Sequence, residues 1–442
     1  MQVNATTPPL RVEVSAAESA LTSRAGTALL SALADRLGLS DGLVAALRVF
    51  SRAVRHEPGR VVRDLAVMLA DGGDCLTDLG ALRDQGVLFG EVASDATAYR
   101  CLERLDEGML ARLREARSAA RTRAWSLAGA PRRLILDIDA TLVTAHSDKQ
   151  GAAGNYKGGY GFHPLLCCEA SSGEALAAIL RPGNAGANTA ADHIAVLERA
   201  LAQLPQGSLN RGTLVRCDSA GATHDFLEAV AARGLCFSVG LDLNERVRDA
   251  CLALPESAWT PALDCQGCER EGAWVAELPL ELAGWPAGSR AICRRERPHP
   301  GAQLTFTDAG GHRFQVLLTN QQGRRLARLE QVHRQRAAIE DSIRCAKASG
   351  LANLPFRTWA LNAAWLELVL MGIDLLAWMR RLLLGGSALA TCEPKRLRYR
   401  LLHVAGRVVR HARAVRLRLA RCWPWAQALA SAFARLQALP SG

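Results

Sequence analysis

The chain has 442 residues, about half of them apolar, and this length predicts roughly two to four modules with ample material for a core. The balance of 54 Lys plus Arg against 43 Asp plus Glu gives a net charge of +11, which favours a polyanionic partner, most often nucleic acid. The thirteen cysteines follow no repeating pattern, which argues against a disulfide framework and favours free thiols in a reducing cytoplasm.

Three local features bear on location and metal content. The N-terminus lacks a basic segment followed by an apolar one, so we expect no signal peptide. The most apolar stretch, residues 366–379, contains Glu367 and Asp374, and we expect a buried core helix and no membrane partner. Cys265 and Cys268 form a CxxC pair, but a structural zinc site needs four ligands and no second pair occurs at suitable spacing.

The first segment, residues 1–128, is predicted to be helical. Apolar residues recur at helical spacing in AGTALLSALADRLGL and in DGLVAALRVFSRAVR. Ser94 and Asp95 are placed to cap a further helix through ATAYRCLERLDEGMLARL. No strand-like alternation is evident there, so we expect a small helical domain.

The pattern changes at Pro131, where branched apolar residues begin. RLILDIDATLV predicts a strand, a glycine-rich turn follows, and two further strands come after it. A helix, a strand ending at Asp218, a second helix and a fifth strand complete residues 129–244. Three strands followed by helix, strand, helix and strand is the order of a ribonuclease-H-like α/β sheet, not of a doubly wound fold.

The remaining chain divides into three predicted parts. Residues 245–322 suggest a β-rich insertion that ends in a hairpin with its turn at residues 308–311. Residues 323–350 contain a long helix, and residues 351–442 are predicted to be helical and basic. Ten Lys or Arg and no Asp or Glu lie in residues 395–421, which fits either a solvated face or a surface for DNA phosphates.

Residues 137–141 have the sequence DIDAT, and two enzyme classes have aspartates in this arrangement at the end of a strand. A haloacid-dehalogenase-type phosphotransferase would use Asp137 as nucleophile and Asp139 as general acid. That interpretation needs a later lysine and an acidic pair for Mg²⁺, and no convincing set occurs. The strands that follow directly also fit it poorly, because that fold continues from this motif towards a helix.

The second class is a metal-dependent nuclease or strand-transfer enzyme, which needs three converging carboxylates that bind two divalent ions. Asp139 and Asp218 end strands that are neighbours in a ribonuclease-H-like sheet. The third should lie on the helix after the insertion, where Glu340 shares a helical face with Arg336 and Lys347. These residues on one helical face could also form an ordinary row of surface ion pairs. The two strand-end aspartates favour the metal site instead.

The spacing His333-x2-Arg336-x3-Glu340-x6-Lys347 resembles the Y-x2-R-x3-E-x6-K signature of DDE transposases from bacterial insertion sequences of the IS-four-like superfamily. Longer stretches are similar to the family of those elements numbered 1380. These stretches are LDIDATLVTAH, YKGGYGFHPLL, RRERPHPGAQL, IEDSIRCAKASGLANLPF and EPKRLRYRLLH. The resemblance runs from about residue 60 to the end in the same order.

The resemblance implies that Asp139, Asp218 and Glu340 bind Mg²⁺, for which Mn²⁺ substitutes, and that the enzyme cuts and rejoins element ends. It implies phosphate contacts by Arg336 and Lys347. His333 stands where the signature has Tyr, and we expect it to contact DNA as well, because histidine can still stack or hydrogen-bond a phosphate. The N-terminal helices and the insertion are expected to contact DNA. The resemblance also implies that the partner is double-stranded DNA, at the element ends and at the target. It further implies a homodimer on that DNA and a bacterial cytoplasmic location.

The main rival from another functional class is a DNA-binding protein without catalysis, such as a repurposed transposase. The presence of all three carboxylates argues against this alternative.

Overall fold

The computed structural model describes residues 20–48, 55–299, 301–303, 308–323, 325–411 and 414–440. Some predictions also cover positions outside the described residues, namely 1–19, 49–54, 300, 304–307, 324, 412–413 and 441–442. Ten strands form one large mixed sheet. Numbered β1 to β10 in chain order, they are Ile135–Ala140, Leu165–Glu169, Ala175–Ile179, Leu214–Cys217, Cys236–Leu241, Thr260–Leu263, Glu269–Leu278, Arg290–Glu296, Asp308–Ala309 and His312–Thr319.

The sheet has the strand order β6-β7-β8-β10-β5-β4-β1-β2-β3, and β9 pairs with β10. The first three strands form an antiparallel meander, while β4 runs parallel to β1 and β5 runs parallel to β4. Because parallel strands end at the same edge, the residues that follow β1 and β4 lie on one side of the molecule. The strands of the predicted insertion extend this same sheet, since β10 pairs antiparallel with β5.

Strand β1 separates two environments, because successive side chains point to opposite faces of a sheet. Leu136 and Ile138 are buried in an apolar core with residues of the helices Ala190–Ala202 and His224–Ala232. Asp137 and Asp139 therefore point to the other face, and the helix Ala338–Ala346 contacts β1.

The helices near the two ends of the chain form a single helical body with one apolar core, not two separate regions. Its helices are Ala28–Arg36, Leu39–Ala46, Pro58–Asp71, Gly80–Arg83, Gly86–Phe89, Asp95–Glu103, Glu107–Ala128, Trp359–Leu383, Pro394–Leu397 and Ala426–Ala438. The sequence pattern does not reveal this union, because periodicity identifies the apolar face of a helix but not the segment against which that face packs.

Residues 406–419 were expected to be helical, and this prediction is wrong. They form an antiparallel hairpin of the strands Gly406–His411 and Ala414–Leu419, and the short strand Leu21–Thr22 pairs with its first strand. The physical reason is a strict alternation in VRLRL, where apolar residues and arginines take turns. Such a period of two places the apolar residues on one face of a strand and the arginines on the other.

The predicted long helix is interrupted. It consists of the α-helices Leu326–Arg334 and Ala338–Ala346, joined by the single 3₁₀ turn Gln335–Ala337. A wider π turn, Lys347–Leu351, ends it, and Gly350 within that turn has φ +102°. The insertion also contains the helix Glu245–Leu252, and the glycine-rich segment after β1 forms the short strands Val143–Thr144, Ala153–Gly154 and Tyr160–Phe162.

Helix Trp359–Leu383 is buried, as its sequence predicts. Among the described residues it is the one helix long and apolar enough to cross a membrane by length and composition, and 89% of its most apolar window is buried inside the protein. Asp374 of this helix pairs with Arg117 Nε at 3.0 Å and with Arg121. Both arginines belong to Glu107–Ala128, so ion pairs join these two helices inside the helical body.

Candidate active site

Asp139 lies near the end of β1 and is half-buried. Its Oδ1 accepts a hydrogen bond from the Ala140 N–H at 2.8 Å, and its Oδ2 lies 3.2 Å from Arg336 Nη1. Burial raises the pKa of Asp139, the Arg336 guanidinium opposes the rise, and the negative charge of Asp218 adds to it. The site therefore concentrates negative charge on partly buried carboxylates, with one arginine in direct contact.

Asp218 follows β4 directly and begins the 3₁₀ turn Ser219–Gly221. Its Oδ1 accepts a hydrogen bond from the Ala220 N–H at 3.1 Å, which fixes the side chain at the strand end. Since β1 and β4 are adjacent and parallel, Asp218 and Asp139 lie at the same edge of the sheet. Their electrostatic interaction follows from this placement.

Glu340 lies in the first turn of Ala338–Ala346 and is exposed. With Asp218, His333 and Arg336 it lines a cleft with a volume of about 670 Å³. The three predicted carboxylates are not drawn into a tight cluster. Among the described residues, the one trio of potential ligand atoms within 4.8 Å of one another lies elsewhere, at Asp74, Cys75 and Asp78.

That trio has a structural explanation. Asp78 Oδ2 accepts hydrogen bonds from the Asp74 N–H at 2.8 Å and the Cys75 N–H at 3.2 Å. These contacts cap the short 3₁₀ helix Leu76–Leu79, which is an ordinary role for an aspartate at this position.

His333 is held by β5, because its Nδ1 lies 2.9 Å from Ser238 Oγ. The pKa of His333 is lowered to about 3, mainly by burial and in addition by the positive charges of Arg336, Arg216 and Arg294. The imidazole is therefore neutral at physiological pH. It offers the cleft a hydrogen-bonding ring, not a cation.

Lys347 lies beyond the last residue of Ala338–Ala346 and reaches back towards β1. Its Nζ donates a hydrogen bond to the Leu142 carbonyl at 2.9 Å. Burial lowers the pKa of Lys347, and the charge of nearby Lys157 lowers it further. His333, Arg336 and Glu340 thus line the cleft, while Lys347 lies against the segment that follows Asp139.

Asp137, the neighbour of Asp139 on the same face, is 1% exposed. Arg216 on β4 donates to both of its oxygens, from Nε to Oδ1 at 2.6 Å and from Nη2 to Oδ2 at 2.7 Å. Arg216 also donates to the Val332 carbonyl, so the pair ties β1 and β4 to the helix that precedes Arg336. An aspartate so enclosed cannot attack a substrate, which removes the nucleophile that the phosphotransferase interpretation requires.

The cleft contains further charged residues that the sequence analysis missed. Arg294 on β8 pairs with buried Glu330 at 2.8 Å, and Arg334 pairs with the same carboxylate at 3.0 Å. Asp242, which follows β5 at the edge that also bears Asp218, lines the cleft and is exposed. The available signal was the position of Asp242 near the end of a predicted strand.

Cys265 and Cys268 are both exposed, in the turn between β6 and β7. Asp264 organises this turn, since its Oδ1 accepts hydrogen bonds from the N–H groups of Gln266 at 2.8 Å and Cys268 at 2.9 Å.

The fold and the site together define the class of protein. It is a mixed α/β protein whose candidate active site consists of carboxylates, namely two aspartates at strand ends and a glutamate on a nearby helix. The sequence matches the family described as Transposase DDE domain group 1 over residues 6–441, and the chain belongs to that family. No curated protein matches the chain significantly. A cryo-EM structure of the piggyBac transposase synaptic complex with hairpin DNA is similar at 12% identity and a TM-score of 0.42, covering 83% of this chain and 76% of that one.

Proposed function

We propose that the protein is a DNA transposase that cuts and joins the ends of a bacterial insertion sequence, of the IS-four-like superfamily and the family numbered 1380. Its reaction is an in-line phosphoryl transfer assisted by two divalent ions. The observation that carries the proposal is the placement of Asp139 and Asp218 at the ends of neighbouring parallel strands, with Arg336 in contact with Asp139. Membership of the DDE transposase family supports the same conclusion.

The strand order supports a ribonuclease-H-like core. The central part of the sheet, β3-β2-β1-β4-β5, combines an antiparallel meander with two parallel strands. We propose that residues 129–244 and 323–350 form this core, with residues 245–322 as its β-rich insertion. Residues 1–128 and 351–442 then provide flanking, largely helical regions that contact DNA.

The donor set fits Mg²⁺, with Mn²⁺ as a substitute, because both prefer oxygen ligands. Asp139, Asp218 and Glu340 offer carboxylate oxygens only, and the interaction between the first two leaves negative charge that a cation would neutralise. When bound, divalent ions would polarise the attacking hydroxyl and stabilise the leaving 3′-oxygen. Glu340 is exposed and on a helix, so its side chain is free to turn towards the two aspartates.

The remaining residues position DNA. Arg336 has a fixed guanidinium next to Asp139, and such a fork suits a phosphate beside the scissile bond. Lys347 supplies a compact cation at the segment following β1. His333 is neutral with Nδ1 engaged, so it contributes a hydrogen bond through Nε2 or a stacking surface. No covalent enzyme–DNA intermediate is needed, and no Ser or Tyr nucleophile is invoked.

The partner is double-stranded DNA, first the element ends and then the target. Two ends must be processed together, so we propose that a homodimer assembles on the DNA, one site for each end. The protein would act in the bacterial cytoplasm, bound to the nucleoid and without a membrane partner. The net charge of +11 favours this association through phosphate contacts.

The proposal is tested by incubating the purified protein with duplex DNA that contains the sequences flanking its coding region. With Mg²⁺ or Mn²⁺ we expect strand cleavage that leaves 3′-hydroxyl ends at the element boundary, and no cleavage in EDTA. Binding of this DNA with no cleavage under either metal would instead identify a DNA-binding protein that has lost catalysis.

A further inference from the structure

The strands Gly406–His411 and Ala414–Leu419 form a hairpin, which we call the basic hairpin. It has cationic side chains that the proposed site does not use. Arg407 lies directly opposite Arg418 in the antiparallel register. Arg416, two residues before Arg418, is on the same face, and all three arginines are exposed. Arg416 and Arg418 therefore place two exposed guanidinium groups on one face of the hairpin, and this face is suited to an external anion.

The local sequence supplies no acidic side chain to the basic hairpin. Residues 395–421 contain no Asp or Glu. Within the part of the chain that the structure describes, the side chains of Arg416 and Arg418 have no hydrogen-bond or ion-pair partner. Arginines on the large sheet behave differently, since Arg290 pairs with Glu277 at 2.7 Å and Arg295 with Glu256 at 2.5 Å.

The opposite face of the basic hairpin fixes it to the helical body. Val408 is 8% exposed, and Leu417, its partner across the strands, packs against the helical core. Leu21–Thr22 adds a third short strand at the base of the hairpin. The arginines are thus held on a supported surface that faces away from the helical body.

The π turn Arg398–Leu402, which precedes the basic hairpin in the chain, contacts the segment that follows Lys347. Arg398, in the π turn Arg398–Leu402, donates to the Ala348 carbonyl at 2.8 Å and to Ser349 Oγ at 2.9 Å. The same side chain donates to the Ala70 carbonyl at 3.0 Å. Arg398 therefore joins the turn that leads into the basic hairpin to the π turn that begins at Lys347.

We propose that the basic hairpin binds the phosphate backbone of duplex DNA outside the cleft, through Arg416 and Arg418. This inference rests on the proposed function for its partner and adds a second contact region to it. The contact is electrostatic and independent of sequence, because it uses phosphates and not base edges. It supplies affinity and positions the duplex, and it takes no part in bond breakage.

The test compares two double variants of the full chain, each lacking two positive charges. Arg416→Gln with Arg418→Gln alters the basic hairpin. Arg211→Gln with Arg233→Gln is the matched control, because both residues are exposed and precede β4 and β5, at the edge opposite Asp139 and Asp218. Fluorescence anisotropy with a non-specific duplex, without metal and between about 50 and 200 mM salt, gives the dependence of affinity on salt.

Each phosphate contact contributes about 0.9 to the slope of log K against log salt, so losing two should reduce the slope by about 1.8. We expect this reduction for the basic-hairpin variant only. Arg416→Lys with Arg418→Lys should retain the wild-type slope, which separates loss of charge from misfolding. An unchanged slope in the glutamine variant, or an equal reduction in the control, overturns the inference.

Two further measurements separate this inference from other accounts. If the wild type binds duplex through the basic hairpin but never cuts flanking DNA with Mg²⁺ or Mn²⁺, the proposed function fails and the DNA contact stands. If the glutamine variant instead loses binding to vesicles containing phosphatidylserine while its DNA affinity is unchanged, the surface serves a lipid and the inference is wrong.

Discussion

Arg336 Nη1 lies 3.2 Å from Asp139 Oδ2, although 197 positions separate the two residues in the chain. The contact joins the end of β1 to the 3₁₀ turn between Leu326–Arg334 and Ala338–Ala346. It therefore holds together the strand that supplies the first candidate carboxylate and the helical segment that supplies Glu340. The same guanidinium lines the cleft and can reach a phosphate there.

The first prediction concerns Arg336→Gln, which removes the charge beside Asp139. We expect cleavage at saturating DNA to fall by about 100-fold, the usual cost of losing one preorganised donor to developing charge. Arg336→Lys should recover only part of the rate, because an ammonium does not reproduce the planar fork. Single-turnover cleavage measures both.

Arg344→Gln is the matched control for Arg336. Arg344 is exposed on the next helix and pairs with Asp341 at 3.1 Å, away from the residues that line the cleft. It should cut at the wild-type rate. Equal losses of the cleavage rate in Arg344→Gln and Arg336→Gln would mean that the rate depends on the total positive charge and not on the contact between Arg336 and Asp139.

The second prediction concerns the stability that Asp137 provides. Asp137→Asn leaves Arg216 buried without its charged partner, so we expect the free energy of unfolding to fall by about 3–5 kcal/mol. Asp341→Asn removes an exposed pair and should cost about 0–1 kcal/mol. Denaturant unfolding of both variants is the measurement, and equal losses would contradict the structural role of Asp137.

The third prediction concerns pH and the buried Asp374. The pKa of Asp374 is raised to about 6. Burial raises this pKa, the positive charges of Arg121 and Arg117 oppose the rise, and the negative charge of Glu174 adds to it. Because the unfolded value is about 3.9, the folded state binds the proton more tightly. The resulting stabilisation is full below about pH 3.9 and is lost as the pH rises through about 6.

Asp374→Asn has a neutral side chain at every pH and lacks this dependence. The free energy of unfolding of the wild type, relative to that variant, should therefore decrease between about pH 4 and 6. Denaturant titrations at several pH values measure the difference. A difference that stays constant or increases with pH would show that Asp374 is ionised throughout this range.

Local patterns were sufficient to predict the central strands and the placement of Asp139 and Asp218 at strand ends. LILDIDATLV combines branched apolar residues with aspartates at alternate positions, and β1 occupies Ile135–Ala140 within it. Asp218 is at a strand end because LVRC is apolar enough to form β4, apart from Arg216. Arg216 itself was unexplained until its partner Asp137 was placed at the same register on β1.

Other features depend on contacts between distant segments, and the sequence alone does not reveal them. The basic hairpin was predicted as helix because its arginines were considered as a charge run and not as one face of a strand. The break at Gln335–Ala337 was missed because residues on both sides keep helical spacing. The buried pairing of Asp374 with Arg121 required two helices, 253 positions apart at these residues, to be placed side by side.

The most direct test of the account is metal-dependent cleavage of flanking DNA by three variants, Asp139→Asn, Asp218→Asn and Glu340→Gln. Each should bind DNA yet show no cleavage with Mg²⁺ or Mn²⁺, because each loses a carboxylate proposed to hold the ions. Asp341→Asn, adjacent to Glu340 but exposed and paired with Arg344, should cut normally. Normal cleavage by Asp139→Asn, together with a folded but inactive Asp137→Asn, would contradict the assignment.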